Sequence, residues 1–593
     1  MKPIWKWVIG IVLILIVAVF GLSSYFSSNW KPLVEEKLQE IVNSSTDSLY
    51  RLTYDDLDIN LALGNVTLKN VKLRSDSAVY AQLERDSLAP DNLYDISLKA
   101  LKIKRFGIMD VVKDKVLNIK SITFEEPEMV LRNKYHAYND TVSVKPKRSL
   151  YENIRDVFQK VNVDNIDLDN LKVTYMNLDR DRSSDLSLSN VQIKVRDVLI
   201  DETSLSDTSR FLYTKLVEVN IPGFTYKFTD GFYQASFKEL KINTQEQNVL
   251  LTAISFKPQM GREAYFKKRG ENKTMTEFSV DTLRMENLDF KRLFDLQQVV
   301  ASKVQVKNGS LKLFGDKRYR KRPANQIGQA PHQKLMRVKS LLALDSVFLE
   351  NFDVVYAEMS GKYHQIGEVS FIGTSGYLAN VTNDSSRLSK DKFMHVNMNT
   401  RIMDRGNMHA KFELDMLSKT GAYSYSGSVG PMSATHFNRI LKPLLNVEIG
   451  SGNIRSIKYN MYATDHRSRG DFRFNYDDLK IEILDRREKT SKRVISFLVN
   501  QILINDSNPD ANEIYHVGKV NHRRDPSHTF FKDMWQSLLD GIKQTAGISK
   551  EREARLTGSA QEVLEKVEDT KGKVKKTKGF LKRLFKKDDQ QSE

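Results

Sequence analysis

Val66-Thr67-Leu68-Lys69-Asn70-Val71-Lys72-Leu73 is the stretch from which the fold is read. Apolar side chains alternate at Val66 and Leu68, the phase slips by one residue at Asn70, and alternation resumes at Val71 and Leu73. Period-2 alternation marks a half-buried strand, and a one-residue slip would turn its second half inside out. One extra residue taken up as a β-bulge, with Asn tolerating left-handed backbone angles, restores the facing and bends the strand. A tight turn at the Asn between two short strands is the alternative. Either way, one face stays apolar along a curved sheet.

The pattern recurs at Ile166, Leu168, Asn170, Leu171, Val173 and at Leu186, Leu188, Asn190, Val191, Ile193. It returns at Leu283, Met285, Asn287, Leu288, Phe290 and at Val347, Leu349, Asn351, Phe352, Val354. Looser versions carry Glu126-Pro127 after Ile122 and Phe124, and Asn308-Gly309 after Val304 and Val306. Irregular intervals exclude a solenoid of fixed period and suit an old repeat with variable insertions. Any single copy reads as an ordinary core face. So many copies with little helix to cover them point to an apolar groove, lined by the apolar residues of the five full copies. Short helical patterns punctuate the strands at 106–116, 150–161, 291–301 and 436–445. Residues 317–337 are basic, contain Pro323, Gly328 and Pro331, and read as an exposed loop, with a partner or lipid-headgroup patch as the functional alternative.

Residues 7–26 are almost entirely apolar. Roughly 20 residues of helix span about 30 Å, the hydrocarbon thickness of a bilayer. Lys2 and Lys6 precede them, while Trp5, Trp7 and, at the far end, Trp30 suit the headgroup level. The positive-inside rule leaves the N-terminus cytoplasmic and exports the chain beyond Phe26. A cleaved signal peptide fits less well, because the apolar run is long and Gly21-Leu22-Ser23 is a poor cleavage site. Asn29 as cap, Pro32 in the first turn and Leu33, Val34, Leu38, Ile41 and Val42 at helical spacing predict a juxtamembrane helix.

Cysteine is absent, which excludes disulfides, thiolate metal sites and a Cys nucleophile. There is no P-loop, Rossmann glycine fingerprint or Gly-x-Ser-x-Gly elbow, and the ten histidines show no zinc-hydrolase spacing. No catalytic residue, metal or cofactor is expected. The net charge of +17 is compatible with nucleic acid or an anionic membrane. Nine Lys/Arg and no acid between 571 and 587 put much of that excess in a tail, and export argues against nucleic acid.

The C-terminal part reads HFNRILKPLLNVEIGSGNI at 436–454 and GDFRFNYDDLKI at 470–481, followed by Asn508-Pro509. Asp525-Pro526 then precedes FFKDMWQSLLDGI at 530–542. These segments resemble the C-terminal region of AsmA-like proteins as found in Bacteroidetes. The anchor and the Asn-marked strands fit the same family, so the resemblance covers most of residues 1–548. It implies an inner-membrane anchor and an elongated periplasmic β-groove. Through AsmA and TamB it also implies kinship with bridge-like lipid transfer proteins. Acyl chains need a continuous apolar trough while headgroups remain in water. Phospholipid is then the expected cargo, with the inner membrane and an outer-membrane or envelope protein as partners. A non-enzymatic structural or assembly factor for outer-membrane biogenesis, with a solid core, is the alternative.

The apolar stripe Phe531, Met534, Trp535, Leu538, Ile542 either packs as core, closing one end of the groove, or lies on a membrane interface. In the tail, Phe580, Leu581, Leu584 and Phe585 alternate with Lys582 and Arg583, either as a basic amphipathic membrane contact or as a solvated charge run. The expected fold is mostly β. Its parts are an anchor (1–28), a juxtamembrane helix (29–43), an elongated curved β body (44–435), an AsmA-like C-terminal region with an amphipathic helix (436–548) and a basic tail (549–593).

Overall fold

Alternating sequence becomes strand along most of the chain, and the strands form one large mixed sheet. The computed structural model describes residues 42–547 except 44–45, 47, 61, 108–109, 111–112, 142–149, 156–157, 180–185, 205, 323 and 484–504. The expected anchor with Trp5, Trp7 and Trp30, the juxtamembrane helix before Val42, and the tail with Phe580, Leu581, Lys582, Arg583, Leu584 and Phe585 lie outside the described residues. Among the described residues, no helix is long and apolar enough to cross a membrane.

The chain divides into two compact units. The first is Met1–Lys321 with Leu335–Tyr356 and Gly373–Met394; the second is Arg322–Lys334, Ala357–Ile372 and His395–Glu593. In the first unit, Tyr50–Thr53 and Asp56–Asn60 pair antiparallel with the two halves of Asn65–Ser75, which pairs with Asn92–Phe106. That strand pairs with Val116–Glu125 and Glu128–Asn133, and both of these run parallel to Lys160–Asn177. A parallel neighbour needs a long crossover, and the stretch between Asn133 and Lys160 supplies it. Antiparallel pairing then continues through Leu186–Ile200, Thr214–Ile221, Glu239–Asn243, Asn248–Pro258, Met275–Glu286 and Val299–Asp316. The hairpin of Phe224–Lys227 and Tyr233–Phe237 extends the pairing of Asn248–Pro258.

The second unit is an antiparallel run of Gly406–Asp415, Tyr423–Val429, Val447–Ala463, Arg467–Ile483 and Val517–Arg523. Its inner face is filled: Tyr425, Met461, Phe472 and Tyr476 are each 1% exposed. The expected amphipathic helix is Phe530–Thr545, but it packs on the sheet through Phe530, Asp533, Ser537, Gly541 and Thr545. A Cβ on Gly541 would sit 2.5 Å from Phe472, and one on Gly518 would sit 2.7 Å from the Gly541 carbonyl oxygen. Small residues therefore let helix and sheet touch backbone to backbone. The sequence stripe does not serve as the packed face: Phe531 is 64% and Trp535 37% exposed.

Three helical expectations shorten. Leu150–Ile154 and Phe290–Leu296 give way to strands that begin at Lys160 and Val299, and the 436–445 pattern becomes a 3-10 turn followed by Asn438–Leu445. The basic stretch 317–337 is not one exposed loop. It contains helix Pro331–Met336 and buries His332, and Gln333 donates to Asp465 Oδ2 at 2.7 Å. Arg524 and Asp465, both buried, pair at 3.3 Å, and Arg524 also donates to the Gln326 carbonyl. Charges this deep are costly to bury without such partners.

Candidate functional site

Every Asn of the strand pattern has a left-handed backbone: Asn70 (φ 53°), Asn170 (57°), Asn190 (57°), Asn287 (52°), Asn308 (51°) and Asn351 (55°). Glu126 of the looser copy joins them at 47°. Such angles cost most L-residues about 1–2 kcal/mol, and Asn least among non-glycine types. The Asn side chains also bond across neighbouring strands. Asn70 donates to Asp55 at 2.7 Å, Asn351 to Asn308 at 3.0 Å and Asn287 to Ser302 at 2.8 Å.

The bulge is realised between Lys160–Asn177 and Leu186–Ile200. One extra residue lies in the first strand between the Leu168↔Ile193 and Leu171↔Val191 pairs, and one in the second between Leu171↔Val191 and Val173↔Leu188. Asn170 and Asn190 fall in these two places, so the offsets cancel. At Asn70 and Asn308 the register holds and both strands slip phase together. Asn70 faces Lys99, Asn308 faces Asp281, and Asp281 faces Ala253 (φ 48°). At Asn287 neither reading holds, since the strand stops at Glu286 and Asp289 caps the helix Phe290–Leu296, while the looser copy breaks into two strands at Glu126-Pro127. Leu288 and Phe290 therefore leave the strand face and pack with Ala301, Val304 and Leu344.

These kinks line up as a crease across the first unit, and the strand breaks at Pro222-Gly223 and Lys238 fall on the same line. Side chains of one facing stay apolar on both sides of it. On one side, successive pairings form an unbroken ladder: Leu57, Leu68, Leu101, Phe124, Leu168, Ile193, Val219, Ile242, Val249, Met285, Val304. On the other side run Leu52, Leu73, Ile96, Met129, Val173 and Leu188. Phe352 lies over Gly309 so closely that a Cβ there would sit 2.3 Å from its ring.

The ladder changes character along its length. Leu57, Leu68, Leu101 and Phe124 are sealed in one cluster with Val66, Val71 and Leu73, covered by Leu150, Ile154 and Phe158. From Leu168 through Met285 the rungs are only partly buried. Of the other expected lining residues, Val173, Leu186, Leu188, Leu283, Val347, Leu349 and Val354 are also partly buried, whereas Ile166, Leu171, Val191 and Phe352 are buried. Fully burying such a side chain is worth about 1.5–3 kcal/mol, so a run of half-covered rungs forgoes several kcal/mol unless something apolar covers it.

The opposite face is polar and paired across strands: Lys99–Glu126 at 3.1 Å, Lys120–Asp164 at 2.8 Å and Lys307–Glu350 at 2.9 Å. Exposed pairs of this kind add little stability and keep that face in water. A shallow depression of about 460 Å³ on it is lined by Gln192, Lys194, Glu218, Asn220, Lys241 and Arg284 among others. Among the described residues, no His/Asp/Glu group could hold a metal.

No family model matches this chain, and no curated protein matches it in sequence.

The Asn-marked copies supply only part of the open face. Val219, Ile242, Val249 and Leu251 lie at its centre without an Asn, although the slip from Val249 and Leu251 to Ile254 and Phe256 around Ala253 repeats the signal.

Proposed function

We propose that the chain is an inner-membrane-anchored periplasmic protein of the AsmA-like kind, and that it handles phospholipid, binding acyl chains along the half-buried rungs from Leu168 to Met285. The observation that carries this reading is the apolar ladder itself, continuous across the strands, sealed at Leu57–Leu68–Leu101–Phe124 and only partly buried from Leu168 to Met285, where Ile242, Val249 and Met285 pack on one side against the Leu288–Phe290 cluster. Acyl chains would cover those rungs as side chains cover the sealed ones, with no specific polar contact required. The apolar run at 7–26 supports the anchor, and the ion-paired opposite face suits an aqueous compartment. No chemical step enters the reading. Transfer toward the outer membrane, with an envelope partner there, extends it by the family resemblance alone.

Native mass spectrometry with lipid extraction on the full chain in mild detergent tests the reading. Stoichiometric co-purifying phospholipid is the expected result. A stable, lipid-free protein that also fails to take up a fluorescent phospholipid would overturn it and move the weight to an assembly scaffold.

A further inference from the structure

Residues 317–321 are basic, and the structure sets them against a second basic segment that the sequence pattern did not single out. Helix Arg262–Arg269 follows the end of Asn248–Pro258, and Lys317–Lys321 follows the end of Val299–Asp316. The Met275↔Phe314 pair places both at the same ends of neighbouring strands. They are tied together. The Asn272 N–H donates to the Arg320 carbonyl at 3.0 Å, Asn272 Oδ1 accepts from Asp316 N–H at 2.9 Å, and the Phe266 and Tyr319 rings stack at 5.8 Å. Tyr265 and Phe266, both fully buried, root the helix, and the Arg262 guanidinium lies 4.3 Å from the Phe314 ring.

Lys267, Lys268, Lys273, Arg320 and Lys321 are thereby exposed along one lip of the sheet. Nearby Asp316 is committed to Arg318 at 2.7 Å, which leaves Glu263 and Glu271 as the acids within the two segments. Phe228, 38% exposed, follows a strand that pairs into the same region. We propose that this lip docks on an anionic bilayer surface, bringing the ends of the partly buried apolar strands against lipid headgroups. Dense cations beside an exposed ring match such a surface. The inference deepens the lipid-handling reading, and its choice of a bilayer over another polyanion rests on that reading.

The test uses the full chain in phosphatidylcholine nanodiscs, floated with phosphatidylcholine vesicles with and without about 30 mol% phosphatidylglycerol. The expected result is salt-sensitive binding to the anionic vesicles alone. Each lost cation should weaken it about fivefold, so K267E/R320E/K321E, which also adds three anions, should lose at least about a hundredfold, with melting temperature and co-purified phospholipid unchanged. If that variant melts early, K267Q/R320Q/K321Q replaces it and should still lose about a hundredfold. Equal binding to both vesicle types, or unchanged binding by the variants, overturns the proposal. So does tighter binding of a duplex oligonucleotide at the same salt, which would make the lip a nucleic-acid surface. A wild-type chain free of phospholipid that still binds anionic vesicles would sink the lipid-handling reading and leave the docking surface standing.

Discussion

A single asparagine decides which way half a strand faces. At Asn170 the left-handed backbone places the extra residue that keeps Leu168 and Leu171 on one side. Val at that position would meet the full steric cost of φ 57°, and Gly would meet almost none. Asn170→Val is expected to lower stability by about 1–3 kcal/mol in urea unfolding, and Asn170→Gly by well under 1; equal losses would refute the argument. A second residue-scale prediction concerns His522. The buried Asp533, whose Oδ1 lies 3.4 Å from Nε2, and then Asp540, 2.7 Å from Nδ1, push this imidazole up to about 9 from its ordinary 6.5. A raised folded-state value means that its stabilisation is complete below about 6.5 and is lost as pH rises through about 9. Melting temperature should therefore fall between those values, and His522→Gln should flatten that part of the profile. A variant whose melting still tracks wild type across the window would place the dependence elsewhere.

At the scale of elements, identical alternation serves two different ends. Leu68 is wholly buried and Leu251 only partly so, although both read alike in sequence. Leu68→Asp should prevent folding or cost more than about 4 kcal/mol, because it buries an unpaired charge. Leu251→Asp should fold and lose bound lipid, measured by extraction from the purified protein; an unfolded Leu251→Asp would mark the ladder as solid core throughout. The Asn-centred slips made the strands and their facing legible, since period and phase are local. Coverage was not legible, because Leu150, Ile154 and Phe158 reach the sealed rungs from distant sequence. The Phe530–Thr545 helix shows the same limit. Its most apolar stripe suggested the packed face, but Gly518 and Gly541 allow a contact so close that Phe531 and Trp535 are left outside. Gly541→Val should strain that contact by about 1–3 kcal/mol, seen as a lowered melting temperature.

Across the whole molecule, two β units differ in how their inner faces end up. The second closes around Tyr425, Phe472 and Tyr476, and burial pushes the Tyr425 phenol up to about 12. The first seals the start of its ladder and leaves the middle partly open. A protein serving only as a scaffold gains by filling both, so the unfilled stretch is what the account must explain. Photo-crosslinking tests this most directly. A photoreactive amino acid is placed in the full chain, in membranes, at Val219, Ile242 or Val249 on the partly buried rungs, and at Lys194 or Lys241 on the opposite face. The account predicts phospholipid adducts at the first three positions and none at the other two. Adducts at neither set, or equally at both, would contradict it.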